Sequence, residues 1–91
     1  MFKVVEKVII EYVFTMLKGG KVRGRLAEKM GSDASLKFSW SVSHLYRLTE
    51  GAPSPVKLEK TECASREEAE RQMFAYLRGY TGIGVEVNSE Y

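Results

Sequence analysis

The hydrophobic pattern of the first seventeen residues is compatible with two elements. Apolar residues recur as adjacent pairs every four positions over residues 4–17, which is typical of an amphipathic helix. With a period of two, apolar residues share one face over residues 2–16, and their β-branched and aromatic content favours a strand. We expect the strand and keep the helix as the alternative. Gly19 and Gly20 then predict a hairpin turn, with residues 22–30 returning as a second strand.

A clearer strand is predicted over residues 36–48, where apolar and polar positions alternate. The apolar face consists of Phe38, Trp40, Val42, His44, Tyr46 and Leu48. Pro53 and Pro55 supply the turn that ends this strand, because proline cannot donate to a ladder. A further strand over residues 56–64 is expected to pair back.

A helix over residues 66–78 has signals at both ends. Ser65 is a candidate N-cap, and Glu68 three residues later completes a capping box. Gly79 is expected to end the helix in a left-handed conformation. The apolar stripe that would pack on the sheet consists of Ala69, Met73, Tyr76, Leu77 and Tyr80. Residues 83–87 predict a short strand, followed by a polar tail at 88–91.

This order of elements predicts an α+β fold. A small antiparallel sheet of three to five strands packs against one C-terminal helix as a two-layer sandwich. The chain has 91 residues, 44% of them hydrophobic, which predicts a single domain over residues 1–91. The sheet would leave one face free, carrying Ser39, Ser41, Ser43 and Arg47. That face is expected to be solvated surface, with a ligand or partner surface as the alternative.

The inventory of reactive residues excludes several kinds of site. Cys63 and His44 are the single cysteine and histidine, so neither an internal disulfide nor a thiolate or two-histidine zinc motif is available. No nucleophile and base stand at a catalytic spacing, so we expect no catalytic, cofactor-binding or metal-binding residues and no enzyme. Charges interrupt the N-terminal residues, which predicts a cytoplasmic protein without membrane contact.

The net charge of +2 hides an uneven distribution. Residues 18–29 hold five basic residues and one glutamate, a local +4, whereas residues 61–91 hold three arginines and six glutamates, a local −3. The basic segment, residues 18–29, is either a solubilising edge strand or a surface that contacts phosphates. On the helix, Arg71, Phe74 and Arg78 lie away from the core stripe, in a combination common in binding hot spots. The alternative for Phe74 is packing into the core.

Three partial resemblances bear on function. Leu-Ala-Glu-Lys-Met-Gly at residues 26–31 resembles the first helix and turn of a helix-turn-helix motif, which implies a DNA-reading helix next. Residues 39–43 alternate like a strand instead. Strands followed by Ser-Arg-Glu-Glu-Ala-Glu at residues 65–70 resemble, over residues 38–77, the arm domains of phage-type integrases, which lay a sheet in the major groove. The size, architecture and two-sided charge resemble small mobile-element inhibitors of the anti-CRISPR type, which occlude nucleic-acid channels.

Our expectation is therefore a non-enzymatic inhibitor or adaptor that docks on a larger nucleic-acid-handling protein assembly. The predicted partner-binding residues are Lys21, Arg23, Arg25, Arg71, Phe74 and Arg78. The alternative is direct nucleic-acid binding by residues 18–29, with Trp40 and Tyr46 as stacking residues where their face is exposed. A homodimer that buries the free sheet face or the first strand stays open.

Overall fold

A computed structural model describes residues 5–16, 20–30, 37–80 and 85–91. Its main sheet has four antiparallel strands in the order β1-β2-β3-β5, a second sheet pairs β4 with β6, and one helix packs on the main sheet. The predicted α+β class is confirmed. The elements in chain order are β1 Val5–Thr15, β2 Lys21–Met30, β3 Phe38–Val42, β4 His44–Leu45, β5 Glu62–Cys63, α1 Arg66–Arg78 and β6 Glu86–Val87.

The N-terminal pattern forms a strand, so the helix alternative is wrong. β1 pairs antiparallel with β2 from Val5 opposite Met30 to Thr15 opposite Lys21, and the predicted return strand is confirmed. The register shifts between Val8 and Ile10, which leaves Ile9 as an extra residue on β1. This bulge reverses the alternation of side chains, so neither simple period describes the whole strand. Of the predicted turn, Gly20 has φ +87°, a conformation that favours glycine, and Gly19 lies outside the described residues.

The helix lies where the capping signals predict it. The Ser65 hydroxyl oxygen accepts a hydrogen bond from the Glu68 backbone N–H at 3.1 Å. The stripe of Ala69, Met73, Tyr76 and Leu77 is buried, and Tyr80 packs half-buried beside it. The opposing core residues from the sheets and their connections are Val22, Leu26, Trp40, Val42, Tyr46 and Cys63. Burial of these apolar side chains stabilises the two-layer arrangement.

Gly79 ends the helix for a reason other than the predicted one. Its φ of −78° and ψ of −4° lie in the right-handed region, so the left-handed expectation is wrong. A Cβ added to Gly79 would overlap the Tyr46 hydroxyl oxygen and lie 3.0 Å from Tyr46 Cζ. The Tyr46 ring is fixed between Tyr76 and Tyr80, with centroid distances of 5.0 and 4.9 Å. A residue with a side chain therefore does not fit at position 79 unless Tyr46 moves.

Two of the predicted strands are shorter than expected. The strand predicted over 36–48 stops at Val42, because the chain bends at Ser43 and continues in the second sheet. Leu48, expected on its apolar face, is 66% exposed. Of the strand predicted over 56–64, only Glu62–Cys63 pairs, and Lys60 just before it has φ +53°, outside the strand region.

The structure corrects two further expectations and describes only part of a third. Residues 26–30, expected to begin a helix-turn-helix motif, belong to β2, so that resemblance is wrong. The predicted terminal strand is found as Glu86–Val87, and its positions 83 and 84 lie outside the described residues. Arg47 does not continue the serine row. Its guanidinium lies 3.3 Å from the Glu86 carboxylate, beside the second sheet.

Candidate functional site

The face of the main sheet turned away from the helix is the candidate site, and we call it the open face. Val22, Gly24 and Leu26 of β2 point toward the helix, so the alternate residues point away from it. The open face consists of Glu6, Val8, Glu11, Val13 and Thr15 of β1, Lys21, Arg23, Arg25, Ala27 and Lys29 of β2, Ser39 and Ser41 of β3, and Glu62 of β5. The serines predicted on a free sheet face therefore lie beside the predicted basic residues.

Acidic side chains compensate part of the positive charge on the open face. Lys29 forms a direct ion pair with Glu62 across β3. Arg23 Nε lies 3.8 Å from Glu11 Oε1, a long contact between side chains that are 64% and 39% exposed, so this contact is weak. The basic segment predicted from sequence is thus less positive in space than in sequence. Lys18, its first residue, lies outside the described residues.

The segment over residues 85–91 packs against the open face and is not a free tail. The side-chain amide of Asn88 donates to the Val42 carbonyl oxygen at 2.9 Å, and its backbone N–H donates to the Ser43 carbonyl oxygen at 2.8 Å. The Asn88 side-chain oxygen accepts from the Glu90 N–H at 3.1 Å, which forms a local turn. This turn carries Tyr91 back over β2.

Arg25 is held by Tyr91. Arg25 Cζ lies 4.7 Å from the centroid of the Tyr91 ring, and its guanidinium donates to the Tyr91 main-chain oxygen at 2.6 Å. The Tyr91 hydroxyl is buried beside the Glu11 carboxylate, without a well-formed hydrogen bond among the described residues. Burial, together with the nearby Glu11 carboxylate, raises the pKa of Tyr91 to about 12. Arg25, predicted as a partner contact, is therefore already engaged within the chain.

A groove opens beside Tyr91, and we call it the Tyr91 groove. It has a volume of ≈ 520 Å³ and is lined by Val13, Lys21, Arg23, Ser43, His44 and Tyr91. The Ser43 hydroxyl oxygen accepts from the Arg23 backbone N–H at 2.8 Å and lies 2.8 Å from His44 Nδ1. Lys21 is exposed and has no ion pair among the described residues. The Tyr91 groove thus collects the least compensated basic side chains of β2.

The predicted helix residues lie on the other side of the sheet. Phe74 packs edge-on against Tyr12 and Phe14, with centroid distances of 5.4 and 5.5 Å. Phe74 is partly buried and packs against the core, as the alternative from the sequence predicted. Arg71 and Arg78 are exposed on the helix. The structure therefore does not bring Arg71, Phe74 and Arg78 together with Lys21, Arg23 and Arg25.

The stacking residues predicted for nucleic acid are part of the core. Trp40 is 4% exposed and Tyr46 is 6% exposed, so neither ring is available to a base and the exposure on which their stacking role depended is not found. Trp40 Nε1 donates to the Lys60 carbonyl oxygen at 2.9 Å. Tyr76, which packs against both rings, donates its hydroxyl to the Val56 carbonyl oxygen at 2.7 Å, and burial raises its pKa to about 12. This cluster anchors the connection between β4 and β5.

The remaining chemical candidates do not form a site. Cys63 is buried, its Sγ lies 3.3 Å from the Lys60 carbonyl oxygen, and burial raises the pKa of its thiol, which disfavours the nucleophilic thiolate. Over residues 5–16, 20–30, 37–80 and 85–91, no three His, Cys, Asp or Glu side chains are grouped to hold a metal ion. Within the same ranges, no helix has the length and apolar character needed to cross a membrane.

Comparison with known proteins does not assign the chain to a family. No protein-family model matches the chain, and neither curated proteins nor solved structures give a significant match.

Reasoning from sequence missed Glu11, Val13 and Tyr91 as members of the site. A two-residue turn at Gly19-Gly20 would place Glu11 opposite Glu28 and Val13 opposite Leu26. The structure pairs them with Arg25 and Arg23 instead, so the predicted turn carried no signal for these two residues. Nothing in the sequence pattern placed Tyr91 over Arg25.

Proposed function

We propose that this chain is a non-enzymatic protein-binding module that presents its open face and the free edge of β1 to a partner. The observation that carries the proposal is the composition of that surface. Exposed valines, Val8 at 50% and Val13 at 57%, alternate with side chains of both charges. A protein partner can match apolar area and both signs of charge, whereas a phosphate backbone matches positive charge alone.

The edge of β1 supports the same proposal. β1 has 11 residues and lies at the end of the strand order, so only one of its two edges pairs within the described part of the chain. Unpaired backbone N–H and C=O groups on an edge strand are a template for another extended segment. The exposed valines lie on this same strand, so strand addition at the edge would bury apolar side chains together with backbone groups.

The partner we propose is a protein of a larger nucleic-acid-handling assembly, on which the chain acts as an inhibitor or adaptor. The support is the two-sided charge. β2 carries a row of basic side chains on the open face, and the first turn of α1 carries Glu67 and Glu68 on the other side of the sheet. A molecule with this layout complements an assembly that itself carries both signs, as the resemblance to anti-CRISPR inhibitors implies.

The test is quantitative capture of partners from the native host by wild-type protein and two matched variants. Val8→Glu places a charge on the open face, and Leu48→Glu places the same charge on an exposed apolar residue away from it. We expect Val8→Glu to lose partners that wild type and Leu48→Glu retain, with equal thermal stability of all three proteins. Capture of one identical set by all three would contradict the proposed surface.

Direct nucleic-acid binding by residues 18–29 is the second candidate. The observation in its favour is that Lys21 and Arg23 lie next to each other on an exposed groove. A gel-shift titration with short duplex and single-stranded DNA tests it, beginning at about 50 mM salt, where phosphate contacts are strongest. Absence of a shift at that salt concentration would exclude this candidate.

A further inference from the structure

We infer that the Tyr91 groove binds a nucleotide, with the phosphate on Lys21 and Arg23 and the base or ribose against Val13 and Tyr91. The inference stands apart from the protein-docking proposal, because it concerns a small-molecule site and can be tested on the isolated chain. The ligand chemistry is a phosphate joined to a flat apolar group. Its source is either a free nucleotide or one unit of a nucleic-acid strand.

The charge distribution along β2 points to the anionic part of the ligand. Lys29 is neutralised by Glu62, and Arg25 is occupied by Tyr91. Arg23 has only a weak contact with Glu11, and Lys21 has no ion pair among the described residues. The uncompensated positive charge of the strand is therefore concentrated at the groove. None of the described residues that line the groove is acidic, and Glu11 lies next to it beside Arg23.

Neutral polar groups add directional contacts beside the two cations. The Arg23 backbone N–H fixes the Ser43 hydroxyl oxygen at 2.8 Å, and this oxygen is also 2.8 Å from His44 Nδ1. His44 is paired in the second sheet, opposite Val87, so its backbone is fixed as well. The hydrogen bond between Ser43 and His44 uses one proton of the pair, which leaves either the Ser43 O–H or the His44 Nε2–H to donate to a phosphate oxygen beside Arg23.

The size and the walls of the groove favour a nucleotide over a bare anion. Its volume of ≈ 520 Å³ falls within the range of about 300–1,000 Å³ typical of small-molecule sites and exceeds the needs of one phosphate. Val13 and the Tyr91 ring supply apolar surface for a base. The contacts with Arg25 hold the Tyr91 ring before a ligand arrives, which reduces the entropy lost on binding.

The test titrates AMP into ¹⁵N-labelled protein, with adenosine and inorganic phosphate as ligands that each lack one half of the chemistry. We expect AMP to bind with a dissociation constant on the order of 1 mM or tighter. The perturbed amides should cluster at Lys21, Arg23, Ser43, His44 and Tyr91. Both half-ligands should bind at least about fivefold more weakly, a difference of about 1 kcal/mol. Fluorescein-labelled dT10, followed by anisotropy, shows whether a strand binds more tightly than the free nucleotide.

Exposed residues give variants that keep the fold. Arg23→Gln and Lys21→Gln should each weaken AMP binding about fivefold or more, whereas Arg78→Gln, the same type of change on the helix, should alter it less than about twofold. Tyr91→Ala should weaken binding because it removes a wall. Tyr91→Phe keeps the ring and should bind AMP as wild type does.

Four results would overturn the inference. The first is no AMP binding at 10 mM ligand, about ten times the expected dissociation constant. The second is an equal loss of affinity in Arg78→Gln and Arg23→Gln, which would indicate nonspecific attraction. The third is tighter binding by Tyr91→Ala, which would make residues 85–91 a cover over Arg25. The fourth is binding of a phosphoserine peptide in the absence of AMP binding, which would assign the groove to modified proteins.

Discussion

The two faces of the β1–β2 hairpin use alternate residues of the same strands and differ in what holds their side chains. On the helix side, the Tyr12 hydroxyl donates to Glu70 at 2.8 Å, and Phe14 packs edge-on against Phe74. On the open side, Val8 and Val13 are exposed, and Arg23 approaches Glu11 only at 3.8 Å. One face is fixed by the helix, and the other is held by backbone pairing and a few side-chain contacts such as Lys29 with Glu62 and Arg25 with Tyr91.

The difference separates stability from binding within one hairpin. Side chains on the helix side lose packing when they change, whereas exposed substitutions usually alter the free energy of unfolding by less than about 0.5 kcal/mol. The open face can therefore carry charge and apolar surface selected for a partner or ligand, while the fold depends on the other side. Three variant experiments, in order of decreasing expected effect, and one pH series test this separation.

The largest effect is expected from truncation of the same strand pair on its two sides. Leu26→Ala removes a fully buried side chain and should lower the free energy of unfolding by about 2–5 kcal/mol, because it leaves a cavity under the helix. Val13→Ala, on the open face of the partner strand, should lower it by less than about 0.5 kcal/mol. Urea unfolding followed by circular dichroism measures both. Equal losses would show that the open face is packed in solution.

Gly79→Ala tests the contact that ends the helix. The added Cβ meets the Tyr46 hydroxyl oxygen, so we expect a loss of about 1–3 kcal/mol from overpacking. Gly51→Ala is the control, because a Cβ there has no atom within 4 Å. Tyr46→Phe removes the clashing oxygen and should recover part of the loss in the double variant. Additive effects of Gly79→Ala and Tyr46→Phe would contradict this steric account.

Alkaline pH should destabilise the tyrosine cluster under the helix. Burial raises the pKa of Tyr76 to about 12 and also raises that of Tyr80, both above the unfolded value near 10. The unfolded chain then loses these protons first, so stability is constant below about pH 10 and falls between about pH 10 and 12. The slope is at most about 1.4 kcal/mol per pH unit for each tyrosine. Thermal melts from pH 8 to 12 test this, and a constant melting temperature over that range would contradict it.

The sequence was sufficient for the elements whose signals are local. The helix follows from Ser65 and its apolar stripe, and β2 follows from the glycine pair before it. The break at Ser43 was not predictable, because the alternating pattern continues through it and its hydrogen-bond partner Arg23 lies twenty residues earlier. The bulge at Ile9 likewise depends on pairing with β2, and it produced the double periodicity that made residues 4–17 ambiguous.

The candidate site was predictable only in part, for the same physical reason. Lys21, Arg23 and Arg25 share a face once β2 is recognised as a strand, since side chains alternate. The pairing of Lys29 with Glu62 and of Arg25 with Tyr91 was not predictable, because Glu62 and Tyr91 reach β2 only through the tertiary fold. Phe74 is a similar case. Its position on the helix is set by the sequence period, and its burial is set by Tyr12 and Phe14 on the distant first strand.

The smallest effect is expected on the open face itself, from Tyr91→Phe. The Tyr91 hydroxyl is buried with no well-formed hydrogen bond among the described residues, and the Glu11 carboxylate is the acceptor that approaches it, so the folded state loses the hydration of this group for at most a weak bond in return. Its removal should leave the free energy of unfolding unchanged or raise it by up to about 1 kcal/mol, while the ring contact with Arg25 persists. The variant should also show a shallower loss of stability between about pH 10 and 12, because the raised pKa of Tyr91 adds to that slope. Urea unfolding at pH 7 and at pH 11 measures both effects. A clear loss of stability at pH 7 would mean that this hydroxyl is hydrogen-bonded in solution, with the Glu11 carboxylate as the acceptor beside it.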